Sequence, residues 1–248
     1  SAAEIPAFDP VNKRIFIVNA QKGAVDVLDA TDPANPTLID TLTAADVAAD
    51  AVVNSIAYKG GYLAVAIEAS PKTDNGFVAL YDATTLDLLG SAQVGAQPDM
   101  LAFSPDGKYL LTANEGEPSN DYSVDPVGSI SILSLTDDEI VEVRTATFSS
   151  FNARRDELIQ AGVRIFGPNA SVEQDLEPEY IAISEDSSTA WVALQENNAL
   201  AKIDIASATV TEILPLGYKD HGVAGNGIDA SDEDGEINIT TWPGVLGM

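Results

Sequence analysis

The chain has 248 residues, with 12 Lys and Arg against 39 Asp and Glu, a formal net charge of −27, one His and no Cys. That balance excludes a nucleic-acid binder, whose phosphates need Lys and Arg, and a protein drawn to anionic lipid; zero Cys excludes disulfides and thiolate metal sites. Hydrophobic residues make up 45% and no apolar run is long enough to cross a bilayer, so a folded chain with no membrane span is expected.

Short strands follow one another along the chain. The first unit predicts strands over 4–8, 14–19, 24–29 and 37–42, with Asp9-Pro-Val-Asn-Lys13 as its first turn. The second unit repeats this over 54–58, 62–68, 77–82 and 88–94, around Lys59-Gly-Gly61. The third covers 99–103, 109–114, 129–133 and 141–148, around Ser104-Pro-Asp-Gly-Lys108. The fourth covers 179–183, 189–195, 200–205 and 210–214, around Ser184-Glu-Asp-Ser-Ser188. Asp, Pro, Gly and Ser are the residues that hairpin turns require.

Four short antiparallel strands recurring every ~45 residues mark the blades of a β-propeller. The expected class is all-β, a propeller of about four and a half blades. Blades fall near 1–45, 52–95, 97–148 and 177–216, with the start of a fifth over 225–248. Two insertions interrupt the repeat, over 115–127 and 149–178. The second carries a short helix over 153–161, between blades three and four, stopped by Gly162. A propeller closes its last blade on its first. The incomplete ring therefore predicts a partner: the remaining part of the propeller, or another chain that completes it.

Each unit opens on an oxygen-bearing side chain in register, namely Glu4, Asn54, Asp99 and Glu179. Antiparallel pairing puts these beside the ends of the second strands, at Asn19, Glu68, Asn114 and Gln195. The first insertion opens on the same face and adds Glu115, Glu117, Asp121 and Asp125. Hard oxygen donors without Cys or a His cluster point to Ca2+ or Mg2+ rather than Zn2+. Ca2+ suits ligands gathered from several blades, because it takes 6–8 oxygens in irregular geometry. The competing reading is that these groups cap strand ends and bond to loop backbone.

Other features are weaker. Asp229 to Gly235 resembles a calcium loop but has Ala at position 230, and its register favours a hairpin turn. His221 is either a general acid or an ordinary loop residue. Arg154, Arg155 and Arg164 would hold an anionic group or pair with local acids. A sugar-binding surface would need exposed aromatics, for which Tyr122, Tyr180 and Trp242 are the candidates. No serine triad, P-loop or Rossmann fingerprint is present; if the protein catalyses a reaction, metal-assisted hydrolysis is the best-supported class, with a Glu such as Glu115 as proton acceptor.

Several strings together resemble a known family: Pro98-Asp-Met-Leu, Ala113-Asn-Glu-Gly-Glu-Pro118, Gly162-Val-Arg-Ile-Phe-Gly-Pro168, Asp175-Leu-Glu-Pro-Glu-Tyr-Ile-Ala182, Leu194-Gln-Glu-Asn-Asn-Ala199 and Gly225-Asn-Gly-Ile-Asp-Ala230. The chain looks like the choice-of-anchor I family of bacterial surface and secreted proteins. Its members carry alkaline phosphatase-like or mesenchyme-specific cell surface glycoprotein-like names. The resemblance covers nearly the whole chain. It implies a propeller roughly twice this length, an extracellular or cell-surface location (or a periplasmic one), and a phosphate ester as substrate. A more distant likeness to calcium-dependent propeller phosphatases and phytases implies metal ligands at Glu177, Glu179, Glu196, Asn197 and Asn198. Asp99, Glu115 and Glu117 would complete that site. With Glu4 from the repeat, the metal set is Glu4, Asp99, Glu117, Glu177, Glu179, Glu196 and Asn197, with Glu115 and His221 as the catalytic pair. The alternative is a non-catalytic module of a surface layer, matrix or fibre that uses the same face to bind a partner.

Overall fold

A computed structural model describes residues 3–136, 139–231 and 233–247 of the chain. Each predicted unit forms one four-stranded antiparallel sheet in simple meander order. Blade one is β1 (Ala3–Asp9), β2 (Arg14–Asn19), β3 (Ala24–Asp29) and β4 (Thr37–Thr43). Blade two is β5 (Val52–Lys59), β6 (Tyr62–Glu68), β7 (Asn75–Asp82) and β8 (Leu88–Ala96). Blade three is β9 (Pro98–Phe103), β10 (Tyr109–Asn114), β11 (Ser129–Thr136) and β12 (Glu139–Thr147). Blade four is β13 (Ile181–Ile183), β14 (Thr189–Leu194), β15 (Ala199–Asp204) and β16 (Thr209–Pro215).

Period-2 alternation decides what each blade faces. In β6, Leu63, Val65 and Ile67 point to blade one, while Ala64 and Ala66 point to blade three. In β10, Leu110 joins the blade two side, and Leu111 and Ala113 join the blade four side. The three hydrophobic clusters are thus the three interfaces between successive blades. Polar clasps reinforce them on the turn side. Arg14 Nη1 donates to Ala83 O at 2.7 Å, Arg144 Nη1 donates to Ala206 O at 2.6 Å, and Asp106 N donates to Ser187 Oγ at 3.1 Å.

The inner strands pack in order, β1 on β5, β5 on β9 and β9 on β13, and the arc stays open. They line a groove of about 360 Å³ that includes Ile5, Ile56, Tyr58, Leu101 and Tyr180. The two end blades keep an uncovered face. On blade one, Phe8, Ile15, Leu28 and Leu38 pair across all four strands in one row, with Phe8 and Leu38 exposed. On blade four, Trp191 and Leu214 are exposed.

The structure corrects the sequence reading in two places. The helix predicted over 153–161 begins as a 3-10 turn, Ser149–Arg154, and becomes α-helical only over α1 (Arg155–Ala161). Gly162 ends it as expected, at a φ of 107° that favours glycine. A one-turn helix, α2 (Val172–Asp175), was not foreseen, although Ser171 and Gln174 form a full capping box there. Past β16, β17 (Lys219–Asp220) pairs with β18 (Leu246–Gly247), and Ile228 bridges Thr240. The turn expected over 230–235 includes Asp232, which lies outside the described residues.

Candidate cation site

The oxygen-bearing residue that opens each unit sits at a β-bulge in every blade. Register slips between Ala3 and Pro6 opposite β2, between Val53 and Ser55 opposite β6, and between Pro98 and Met100 opposite β10. The slips leave Glu4, Asn54 and Asp99 out of the ladder. In blade four, Ala193 bonds both Glu179 N and Tyr180 O, the same two-against-one arrangement. A bulge re-aims its extra side chain away from the alternating pattern. Here it turns four polar groups to one rim.

Both insertions fold over that rim and are pinned there. Gln174 Nε2 donates to Asp125 O at 2.9 Å, and Gly128 N donates to Glu173 O at 2.9 Å. The approach at Gly128 is close enough that a Cβ would lie 1.9 Å from Leu176 O, so only glycine fits. The buried Asp175 carboxylate accepts from Phe166 N and Gly167 N, and Asn197 Nδ2 donates to Asp175 O at 2.6 Å. Asn197 Oδ1 in turn accepts from Glu177 N at 3.1 Å. That chain of bonds fixes the backbone from which Glu177 projects.

Glu115, Glu117 and Glu177 converge there, each half-buried and offering an oxygen within 4.8 Å of the others. Gln97 joins them. It is only 8% exposed and held at a φ of 50°, and its Nε2 donates to Glu115 Oε2 at 2.6 Å and to Glu117 Oε2 at 2.8 Å. Its Oε1 is buried with no hydrogen-bond partner. An orphaned acceptor beside three carboxylates calls for a positive or donating group. Lys72, on the loop between β6 and β7, supplies one ammonium, which pairs with Glu117.

The electrostatics are those of a crowded anionic site. Burial, then Glu117, Asp99, Glu177 and Glu179, push Glu115 up to about 8. Burial, then Glu117 and Glu196, push Glu177 up to about 7. Burial raises Asp99, helped by Glu117 and Glu68, and burial also raises Glu179, helped by Asp99 and Glu196. Burial acts on Glu117 as well, but hydrogen bonds from Lys72 and Gln97 outweigh it and hold that carboxyl low. Like charges on Glu68, Asp99, Glu117, Glu177, Glu179 and Glu196 thus add to burial in raising Asp99, Glu115, Glu177 and Glu179 across the rim.

Among the metal ligands expected from sequence, Asp99, Glu117, Glu177, Glu179 and Glu196 meet on this rim, together with Glu115. Glu196 lies at its edge, half-exposed and 3.7 Å from Arg164 Nη1. Three expectations need correction. Asn197 is fully buried and spends its amide on backbone and Asp175, so it positions the site rather than coordinating. Glu4 occupies the right bulge but is exposed on blade one, two blades from the cluster. His221 is buried in the tail, where its Nδ1 lies 2.6 Å from Asn226 O and its backbone bonds Trp242 and Val245. Those contacts make it a residue of the tail rather than of the rim. Arg154 pairs with Glu157, so it holds no external anion. Gln97 and Lys72 were not singled out from sequence. The only signal for Gln97 was its place directly before the Pro98-Asp99 string.

A family model described as the choice-of-anchor I domain matches residues 4–248. No curated protein matches by sequence. Among solved structures, the chain is similar to a functionally unknown protein from Desulfotomaculum acetoxidans DSM 771, at TM-score 0.55 and 8% identity over 86% of this chain and 56% of that one. It is similar to Kuenenia stuttgartiensis hydrazine synthase at TM-score 0.50 and 12% identity, covering 86% and 74% of the two chains. It is also similar to a chain of a nidogen/laminin complex at TM-score 0.50 and 13% identity, covering 86% and 63%. At these identities the likeness is one of fold alone.

Proposed function

The chain belongs to the choice-of-anchor I domain family, and on that premise we propose that it is a cell-surface β-propeller module that binds Ca2+ on its acidic rim. One observation carries the cation reading: three carboxylates within reach of a single ion, with the buried and unpartnered Oε1 of Gln97 beside them. Those four groups, with Asp99 and Glu179 close by, offer the all-oxygen set that Ca2+ prefers. A bound dication would also offset the burial and the neighbouring like charges that raise Glu115 and Glu177. The ion stiffens the two insertions, and the rim then serves as a binding face. The family premise supports the surface location. Among the described residues no helix is long and apolar enough to cross a membrane.

A second reading, a Ca2+-dependent phosphoesterase, is supported by Glu115. Its half-buried carboxyl belongs to the cluster and is placed to take the proton from a water activated by the ion. Against it, the rim repels a phosphate dianion until a cation is bound, and its one ammonium, Lys72, is engaged with Glu117. The binding module is therefore the better reading. We further propose that the uncovered faces of blades one and four are covered by the remaining part of the propeller or by another chain.

Calorimetric titration of the chain with Ca2+ tests the first reading, with Glu115→Gln as the control. Micromolar to millimolar binding that the substitution weakens supports it, and no heat beyond dilution in the unsubstituted chain rejects it. Turnover of a phosphomonoester or phosphodiester that depends on Ca2+ and stops on chelation would promote the second.

A further inference from the structure

Beside the acidic cluster, a groove of about 350 Å³ runs between the two insertions, within the size range of small-molecule clefts. Glu117, Glu177, Glu196 and Lys72 line it, and Ser119 and Asn120 add polar groups. Tyr122 and Phe166 line it from the two insertions, 48% and 46% exposed. Neither exposure is incidental. Tyr122 is held at a φ of 56°, in a turn closed by Tyr122 N donating to Ser119 O, which presents its side chain at the tip of the first insertion. Phe166 is anchored by its own N–H on the buried Asp175, and one face of its ring carries the Arg164 guanidinium at 3.8 Å. Both aromatics also line a narrower recess together with Gln174, Asp175 and Glu177.

We propose that this groove is a calcium-dependent binding site for a neutral glycan, with vicinal hydroxyls on the cation and a sugar face against Tyr122 and Phe166. The proposal rests on the cation reading above and adds the ligand class.

The chemistry of the walls selects that class. Glu115 Oε2 and Glu117 Oε2 are already engaged by Gln97 and Lys72, so a cation held through one oxygen each from Glu115, Glu117, Glu177 and Gln97 would retain positions for oxygens from outside the chain. The groove is the open side of the cluster. An anionic ligand, such as a phosphate ester or a uronic acid, would meet Glu196 as well as the cluster carboxylates, while the two cations nearby, Lys72 and Arg164, are paired with Glu117 and Glu196. An organic ammonium would compete with Lys72, which already holds Glu117. A neutral polyol meets neither obstacle. Its hydroxyls replace water on the cation, and its apolar ring face suits an aromatic wall.

The test uses the 248-residue chain on a printed array of neutral and uronic-acid oligosaccharides, in millimolar Ca2+ and again in chelator, alongside calorimetric Ca2+ titration. Binding to neutral glycans that disappears in chelator is the expected result. Two variants locate the site. Tyr122→Asn keeps a residue that tolerates the left-handed backbone, and Phe166→Leu keeps the apolar contact without the ring. Each should lower glycan affinity at least tenfold while leaving Ca2+ affinity and melting temperature unchanged. Ca2+ binding with no neutral glycan retained, retention that survives chelation, or retention that both variants leave intact each overturns the proposal while the cation reading stands. No Ca2+ binding at all rejects the cation reading, and the glycan site with it.

Discussion

Lys72 Nζ pairs with Glu117, joining the β6–β7 loop of blade two to the first insertion of blade three. Around this pair stand Asp99, Glu115, Glu177 and Glu179, all raised by burial and by neighbouring like charge, so a divalent cation seated there would compete with this one ammonium for Glu117. Lys72→Met removes that internal competitor. The expected result is Ca2+ affinity raised about three- to tenfold, with a lower melting temperature for the cation-free protein, because Glu117 then loses its counter-charge. Calorimetry with and without the substitution checks both signs, and unchanged affinity would place Lys72 outside the site.

The pH dependence of stability follows from Glu115 and Glu177, whose folded-state values lie above the ordinary carboxyl range, at about 8 and about 7. Between pH ~4.5 and pH ~8 the folded state holds protons that the unfolded state has released, so stability falls as pH rises through that window. Asp9 and Asp26 act oppositely and elsewhere. Burial raises each, but side-chain hydrogen bonds, from Asn12 and Tyr58 for Asp9 and from Asn19 and Lys22 for Asp26, bring each net below its usual value. Their contribution is lost only on acidification below pH ~4. Melting temperature in chelator should therefore decline by a few degrees from pH 5 to pH 8. Saturating Ca2+ should remove the decline.

Glu115→Gln separates affinity from stability. Above pH ~8, where Glu115 is ionised, removing this half-buried, repelled carboxylate should raise the melting temperature of the cation-free protein, and at any pH it should cut Ca2+ affinity at least tenfold. Glu179→Gln, further from the centre, should act in the same direction but less. A Glu115→Gln protein that keeps full affinity would show that the ion binds elsewhere.

Asn197→Ala probes positioning. The substitution leaves Glu177 N without its acceptor and takes the Asn197 amide donor from Arg164 O, Asp175 O and the Asp175 carboxylate. A loss of about 2–4 kcal/mol in denaturant unfolding is expected from those unpaired buried groups. A variant that stays folded should bind Ca2+ more weakly through displacement of Glu177. Asn197→Asp, which keeps the acceptor but loses the donor, should restore the Glu177 N contact without restoring stability.

Much of the architecture was legible in the chain itself. Strand β2 and strand β6 fall where alternation and turn residues placed them, and Glu4, Asn54, Asp99 and Glu179 do share one structural position. Local rules suffice there, because a period of two and a Pro-Asp-Gly turn fix a hairpin without reference to anything distant. The repeat could not reveal that this position is a bulge, since a bulge is a mismatch between two strands and no single strand carries it.

The sequence by itself determined the blades, their order, the decorated rim and its excess of acid. Only the tertiary structure decided which acids meet. Asn197 and Glu196 are neighbours in sequence, yet one is buried as a brace and the other stands at the edge of the groove. Lys72 comes from blade two, Gln97 from the link between blades two and three, and Glu115 and Glu177 from the two insertions. Their convergence depends on how far each blade rotates past the last and on how the insertions fold back over the rim. Side-chain packing across blades sets both, and no local pattern in the chain records it.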